Sequence, residues 1–167
     1  AVPDLPDPAT DGYLPVTITG ALGGAEVRVL TSQPDMGGPG YRIISVLTSG
    51  DRQVLVDLGF VPQAVRDRSR MAESITITGN LHWPDEVDGW TPEPDRENAV
   101  WYARDIATIA PLLGAEPFLI VARTLSPNDL GVTPLPIDSA AIPNDHQIYA
   151  ITWLLLAAVW AVMSGYL

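Results

Sequence analysis

The chain has 167 residues, a formal net charge of −11, and no cysteine or lysine. This length allows one domain and an anchor, but not two sizeable cores. The acidic balance argues against nucleic acid as a partner, because phosphate binding needs clustered cations. Without cysteine the chain excludes disulfides, zinc sites built on thiolates, and haem attachment through Cys-x-x-Cys-His.

Short runs of apolar residues, some of them alternating with polar residues, predict six strands before residue 124. They are residues 16–19, 26–29, 41–47, 54–60, 74–81 and 118–123. Gly50 and Asp51 predict a hairpin turn between the third and fourth strands. One helix is predicted at 106–113, with Asp105 as its N-cap and Gly114 just past its end. We therefore expect a β-rich α+β domain. Its antiparallel strands should form a barrel or a sandwich, accompanied by one short helix.

One stretch of sequence occurs twice in this domain. Residues 16–22 and 75–81 share five identities in seven positions. Duplication of a half-barrel and two equivalent strand environments both account for the repeat. We favour equivalent environments, because Thr and Ile suit any half-exposed strand.

The loops carry few chemical signals. Residues 84–94 are acidic but lack the alternating ligand spacing of a calcium loop, which predicts a solvated loop. Residues 33–40 are rich in Gly and Pro, but they lack the Gly-Lys-Ser/Thr of a phosphate-binding loop. His82 ends the fifth predicted strand, and we expect it at the surface. No catalytic residue is predicted.

The last twenty residues predict a membrane anchor. Residues 148–167 contain no charge, and a helix of this length spans about 30 Å, the thickness of a bilayer core. A buried core helix is the alternative, but a domain of this size seldom has enough protein to surround one. The predicted organisation is a β-rich domain at 1–123, a Pro-rich linker at 124–145, and a transmembrane helix at 146–167.

The charges beside the anchor predict its orientation. No Arg or Lys lies within twenty residues before the helix, whereas Asp138 and Asp145 do. This pattern places the domain on the non-cytoplasmic side. The chain starts at Ala1 rather than Met and shows no signal peptide. We therefore expect either that it is processed or that the ends of a longer protein are missing.

Two stripes run along the predicted anchor helix. His146, Trp153 and Trp160 recur every seven residues. Small residues form the second stripe, at Ala150, Ala157, Ala161 and Gly165. One interpretation is a helix-packing seam with an interfacial histidine, since small residues allow close approach. The other is an imidazole ligand to a membrane-embedded haem, with Trp153 stacking near the macrocycle. The spacing alone leaves both open.

Three stretches resemble a known family. Residues 143–153 read Pro-Asn-Asp-His-Gln-Ile-Tyr-Ala-Ile-Thr-Trp. They resemble the C-terminal signature of the Surfeit locus protein 1 family, in which Asn-Asn-His precedes Tyr-Ala and Thr-Trp. Gly40-Tyr41 and residues 54–62 are similar to the family's Gly-Tyr and Val-Leu-Val-(Asn/Asp)-Arg-Gly-Trp-Val-Pro. Residues 17–22 match its opening strand.

The sequence also departs from the family pattern. Leu58 replaces the usual Arg, Phe60 the usual Trp, and Asp145 the second Asn of the signature. The family has an N-terminal transmembrane helix before its outer domain, which this sequence does not show. The roles that these side chains have in the family are therefore not carried over to Leu58, Phe60 and Asp145.

The resemblance implies a membrane-anchored assembly factor for haem-copper cytochrome c oxidase, and not an enzyme. Such a factor assists the delivery of haem a to oxidase subunit I, or its insertion there. It implies transient binding of haem a by His146, Tyr149 and Trp153, with His146 as the iron ligand. The implied partners are subunit I, other oxidase subunits and membrane lipid. The implied location is a bacterial plasma membrane, with the domain on the periplasmic or extracellular side.

Two other classes of function remain open. The first is a permanent accessory subunit of an oxidase or a respiratory supercomplex, whose helix packs against other subunits but binds no haem. The second is a membrane-tethered binding module unrelated to respiration.

Overall fold

The structure, a computed structural model, describes residues 1–137 and 146–165. The chain divides into two units, Ala1–Ile137 and Asp138–Leu167. The described strands and helices are β1 (Pro15–Gln33), β2 (Gly38–Ser49), β3 (Arg52–Pro62), β4 (Met71–His82), β5 (Val100–Trp101), α1 (Ile106–Leu113), β6 (Leu119–Ser126) and α2 (His146–Gly165).

Five strands of the first unit close into a barrel. β1 pairs antiparallel with both β2 and β4, and β2 pairs antiparallel with β3. β6 lies between β3 and β4, parallel to β3 and antiparallel to β4. The result is a small Greek-key barrel of the OB type. The short β5 pairs parallel with β1.

The expected β-rich α+β domain is confirmed, but its sheet is mixed rather than antiparallel. The long chain between β4 and β6 explains the difference. A connection of this length can bring β6 alongside β3 in parallel, whereas tight hairpins join only antiparallel strands.

The two strands predicted at 16–19 and 26–29 are halves of the single long strand β1. Its register shifts near Gly20 and again between Leu22 and Glu26. A Cβ at Gly20 would lie 2.3 Å from the carbonyl oxygen of Thr48 on β2. Glycine therefore lets β1 bend closely against its neighbour and pair on both sides, as the closure of a small barrel requires.

The repeated sequences lie side by side in the barrel. Thr17, Ile18 and Thr19 of β1 pair with Thr78, Ile77 and Thr76 of β4. The Oγ1 atoms of Thr19 and Thr76 are 2.8 Å apart. Neighbouring positions of one antiparallel pair select similar residues, which agrees with equivalent strand environments.

Strands β2, β3 and β6 bury apolar residues on both faces. The interior core includes Ile43, Leu47, Leu58, Ile77 and Leu81. A second core lies on the outer face, where Ile109 and Ala110 of α1 are buried with residues of β1, β2, β3 and β6. This coverage explains why β3 and β6 read as nearly continuous apolar runs.

Helix α1 has the bounds that the sequence predicts. Its N-cap, Asp105, accepts a hydrogen bond from the backbone N–H of Thr108 at 3.3 Å. Gly114 ends the helix in the left-handed region at φ 66°. Both terminal signals act as expected from helix capping.

Residues 124–137, assigned to a linker from the sequence, are part of the first unit in the structure. β6 continues to Ser126, and Leu130 and Val132 are buried in the barrel core. Phe60 and Thr133 exchange two backbone hydrogen bonds, of 2.7 and 2.9 Å. The remainder of the predicted linker, 138–145, lies outside the described residues.

The second unit contains α2. The described side chains on this helix, at 149–165, are exposed and uncharged. In the part of the chain that the structure describes, no helix has both the length and the apolar character to cross a membrane. The transmembrane anchor thus stays a prediction.

Candidate functional site

Helix α2 carries the haem-binding residues predicted from the sequence. Tyr149 is 66% exposed and Trp153 is 69% exposed. His146 is the first residue of the helix, and its side chain lies outside the described part. Positions three and seven residues apart lie on the same helical face. Tyr149 and Trp153 therefore follow His146 along one side of α2.

The small-residue stripe lies next to this aromatic face. Ala150, Ala157, Ala161 and Gly165 are all exposed. A Cβ built on Gly165 meets no described atom within 4 Å. The stripe is therefore an open surface that a second helix can approach closely.

The exposed rings of Tyr149 and Trp153 could contact a planar apolar group such as a haem. A porphyrin is planar and apolar, and exposed aromatic rings can stack on such a surface. One neutral imidazole is a common axial ligand to haem iron. His146 would supply that bond, while Tyr149 and Trp153 would contact the macrocycle.

A buried ion pair lies on the outer face of the barrel. Asp57 of β3 is 0% exposed. Nε and Nη2 of Arg42, on β2, lie 2.7 and 2.6 Å from its Oδ2 atom. The backbone N–H of Gly59 donates to its Oδ1 atom at 3.1 Å. A fully buried carboxylate needs such partners, because desolvation alone would disfavour its charge.

Two further charges extend this pair. Arg104 places Nη1 3.6 Å from Oδ2 of Asp57. Its Nε donates to Oε1 of Glu86 at 2.9 Å, and its backbone N–H donates to Oε2 at 2.9 Å. Burial opposes ionisation of Glu86, but hydrogen bonds and the charge of Arg104 outweigh it and lower the pKa. We call Arg42, Asp57, Glu86 and Arg104 the ion cluster.

The ion cluster contains two guanidiniums and two carboxylates, so its charges balance. It offers no surplus charge to a ligand, and its contacts connect separate parts of the unit. Arg104 and Glu86 attach the loop after β4, and Nη2 of Arg42 donates to the carbonyl of Leu135 at 3.1 Å. The arrangement therefore holds two loops on the barrel.

His82 lies near the ion cluster and is half-buried, rather than fully at the surface as expected. Burial lowers its pKa, and the charge of Arg104 lowers it further. Its ring centroid lies 5.4 Å from that of Tyr13. His82 is therefore a neutral imidazole near pH 7.

Sequence reasoning missed the ion cluster. One signal was available, because Asp57 interrupts the apolar run Val54-Leu-Val-Asp-Leu58. A carboxylate within a strand buried on both faces has to be paired. The identity of its partners, 15 and 47 residues away in the chain, depends on strand register and loop packing. No local pattern encodes them.

A cavity of about 200 Å³ lies beside Trp101, in the segment between β4 and α1. Its lining includes Pro92, Glu93, Arg96 and Tyr102. The indole N–H of Trp101 donates to Oγ1 of Thr108 at 3.3 Å. Among the described residues, no group of three or more His, Asp or Glu side chains is arranged to hold a metal ion.

The model of the SURF1 family matches residues 1–158 of the chain. This match covers the barrel and most of α2. The chain belongs to the SURF1 family. The resemblance drawn from the three sequence stretches is thus confirmed.

Relatives come from animals and bacteria. Surfeit locus protein 1 of Gallus gallus is 31% identical over 113 residues, which cover 63% of this chain and 35% of the chicken protein. The SURF1-like protein of Rickettsia bellii is 28% identical over 149 residues, which cover 81% of this chain and 58% of that protein. Human Surfeit locus protein 1 is 28% identical over 113 residues, which cover 63% of this chain and 36% of the human protein. The chain therefore spans less than two thirds of the length of these SURF1 relatives.

Proposed function

We propose that this chain serves as an assembly factor for haem-copper cytochrome c oxidase, assisting the delivery of haem a to subunit I or its insertion there. The observation that carries the proposal is the SURF1 family match across residues 1–158, because oxidase assembly is the role generally associated with this family. The chain would act by binding and release, not by catalysis, with oxidase subunits as its partners.

Helix α2 is the proposed haem-binding element. Its exposed Tyr149 and Trp153 support this, together with the uncharged surface along the helix. An apolar cofactor in transit needs an apolar surface and a bond that exchanges, and a single imidazole provides such a bond. His146 is the proposed ligand to the iron.

We also propose that α2 lies in the plasma membrane of a bacterium, with the barrel outside the cytoplasm. The exposed, uncharged side chains at 149–165 support contact with lipid, since large exposed apolar surfaces need a partner. Protease added to cells with a permeabilised outer membrane should digest the barrel. Protection until the cells are lysed would contradict this orientation.

His146→Ala tests the haem proposal. The variant should remain folded, because the change lies outside the barrel, while the haem that co-purifies with the chain should fall sharply. His82→Ala is the matched control, since it removes the other imidazole of the chain and should leave the haem content unchanged. A full haem spectrum in His146→Ala would refute the assignment. Stoichiometric co-purification with an oxidase, without haem on this chain, would favour an accessory subunit instead.

A further inference from the structure

The segment between β4 and α1, residues 83–105, concentrates negative charge. Seven carboxylates and two guanidiniums leave it with five net negative charges, almost half of the −11 of the whole chain. Glu86 and Arg104 neutralise each other within the ion cluster. We call residues 83–105 the acidic segment. Its other carboxylates remain to attract a partner of opposite charge.

The acidic segment presents a fully exposed tryptophan on a fixed turn. Trp90 is 93% exposed. Its backbone N–H donates to Oδ1 of Asp88 at 2.9 Å, and Oγ1 of Thr91 donates to the same oxygen at 2.8 Å. The backbone on either side of the indole is therefore held in place. Exposed tryptophans at fixed positions are typical of protein interfaces.

The cavity beside Trp101 lies in the same segment. Prolines and Tyr102 supply apolar walls, and Glu93 supplies an exposed carboxylate. No hydrogen bond or ion pair to Glu93 is found among the described residues, whereas Asp105 already accepts from Thr108. At about 200 Å³ the cavity is smaller than a typical ligand pocket. Its size suits one long side chain.

We propose that the acidic segment is a docking surface for an arginine- or lysine-bearing segment of a partner protein. Long cationic side chains combine an apolar stem with a charged head, which matches walls of Tyr102 and proline beside the carboxylate of Glu93. A second copy of this chain is a poor occupant, since two bodies of charge −11 repel each other. An anionic membrane surface is unfavourable for the same reason. This proposal concerns the barrel unit and does not depend on haem binding.

The first test measures binding of a short arginine-rich peptide to the purified full chain by titration calorimetry. A peptide with citrulline at every arginine is the control for charge. We expect Glu93→Lys to weaken binding about tenfold, and Arg96→Glu, which removes a cation from the cavity lining, to strengthen it. Asp51→Lys makes the same charge change as Glu93→Lys in the β2–β3 turn and should have little effect.

Four results would overturn the proposal. Equal weakening by Glu93→Lys and Asp51→Lys would reveal attraction to net charge alone. Equal binding of the citrulline peptide would show that the positive charge has no role. Absence of measurable binding of the arginine-rich peptide would exclude the docking surface itself. Self-association in sedimentation, abolished by Trp90→Ala, would identify a second copy as the occupant. Loss of haem binding in His146→Ala would leave all these outcomes unchanged, so the two proposals fail separately.

Discussion

Arg42 and Asp57 form a buried ion pair between neighbouring strands, in which Nε and Nη2 of the guanidinium lie 2.7 and 2.6 Å from one carboxylate oxygen. The same guanidinium donates to the carbonyl of Leu135. One interaction therefore joins β2, β3 and the chain that follows β6. Loss of either charged partner should affect the whole barrel unit.

Asp57→Ala should destabilise the protein by about 3–5 kcal/mol, because it leaves Arg42 buried without its carboxylate. The measurement is the free energy of unfolding in urea. Glu116→Ala is the matched control, since it breaks the Arg52–Glu116 pair, whose side chains are 27% and 30% exposed. That variant should lose at most about 1 kcal/mol. Similar losses in the two variants would show that burial of Asp57 adds nothing.

Gly59→Ala should displace the segment that follows β6. Gly59 has φ 120°, and an added Cβ would lie 2.1 Å from the carbonyl oxygen of Thr133. Gly37→Ala is the matched control, because Gly37 also has a positive φ, 102°, but its Cβ would meet nothing within 4 Å. Both variants carry backbone strain, so the difference between them reports the clash.

Overpacking of this kind costs about 1–3 kcal/mol, and we expect Gly59→Ala to be less stable than Gly37→Ala by that amount. Hydrogen exchange provides a second measurement. The amide of Thr133, which donates to the carbonyl of Phe60, should exchange faster in Gly59→Ala only. Unchanged protection of this amide would contradict the close approach.

Local patterns predict the elements whose determinants are local. Helix α1 begins after Asp105 and ends at Gly114 because a capping carboxylate and a glycine mark its ends. The repeat at 16–22 and 75–81 lies on two strands that pair with each other, and this pairing agrees with similar strand environments. These features need no knowledge of the rest of the chain.

The missed features depend on distant contacts. Residues 20–25 separate two predicted strands in the sequence, yet they belong to one continuous strand that bends at Gly20, against Thr48. The position of β6 beside β3 follows from barrel closure, which period-two alternation cannot specify. Residues 127–137 look like a linker because of their prolines, but Val132 is buried in the barrel core.

Stability should fall as the pH decreases from neutral, and His82 should contribute to the fall. Burial, followed by the charge of Arg104, lowers its pKa in the folded state below the ordinary 6.5. The unfolded chain therefore binds the proton at higher pH than the folded chain does. The stabilisation from neutral His82 is complete above pH 6.5. It is lost as the pH falls through the pKa of the folded state.

His82→Gln should flatten this step in a plot of unfolding free energy against pH. Glu86 has a lowered pKa as well, so its contribution is lost in the same direction but below its ordinary 4.5. That second step should persist in the variant. Glu26, whose pKa is raised by burial, acts in the opposite direction and cancels when variant and parent are compared. Parallel curves for the two proteins would exclude His82 as the titrating group.

The small-residue stripe on α2 should pack against a helix of a partner protein. Ala157 and Ala161 are exposed on one side of the helix, and their small side chains permit a second helix to approach closely. Replacing both with Leu should hold the helices apart and weaken co-purification with oxidase subunit I. Val159→Leu is the matched control, because Val159 lies about 200° around the helix from Ala157, on the opposite side. The control should leave recovery unchanged.

If both variants retain the full amount of subunit I, the stripe faces lipid. If Val159→Leu alone reduces recovery, the packing surface lies on the other side of α2.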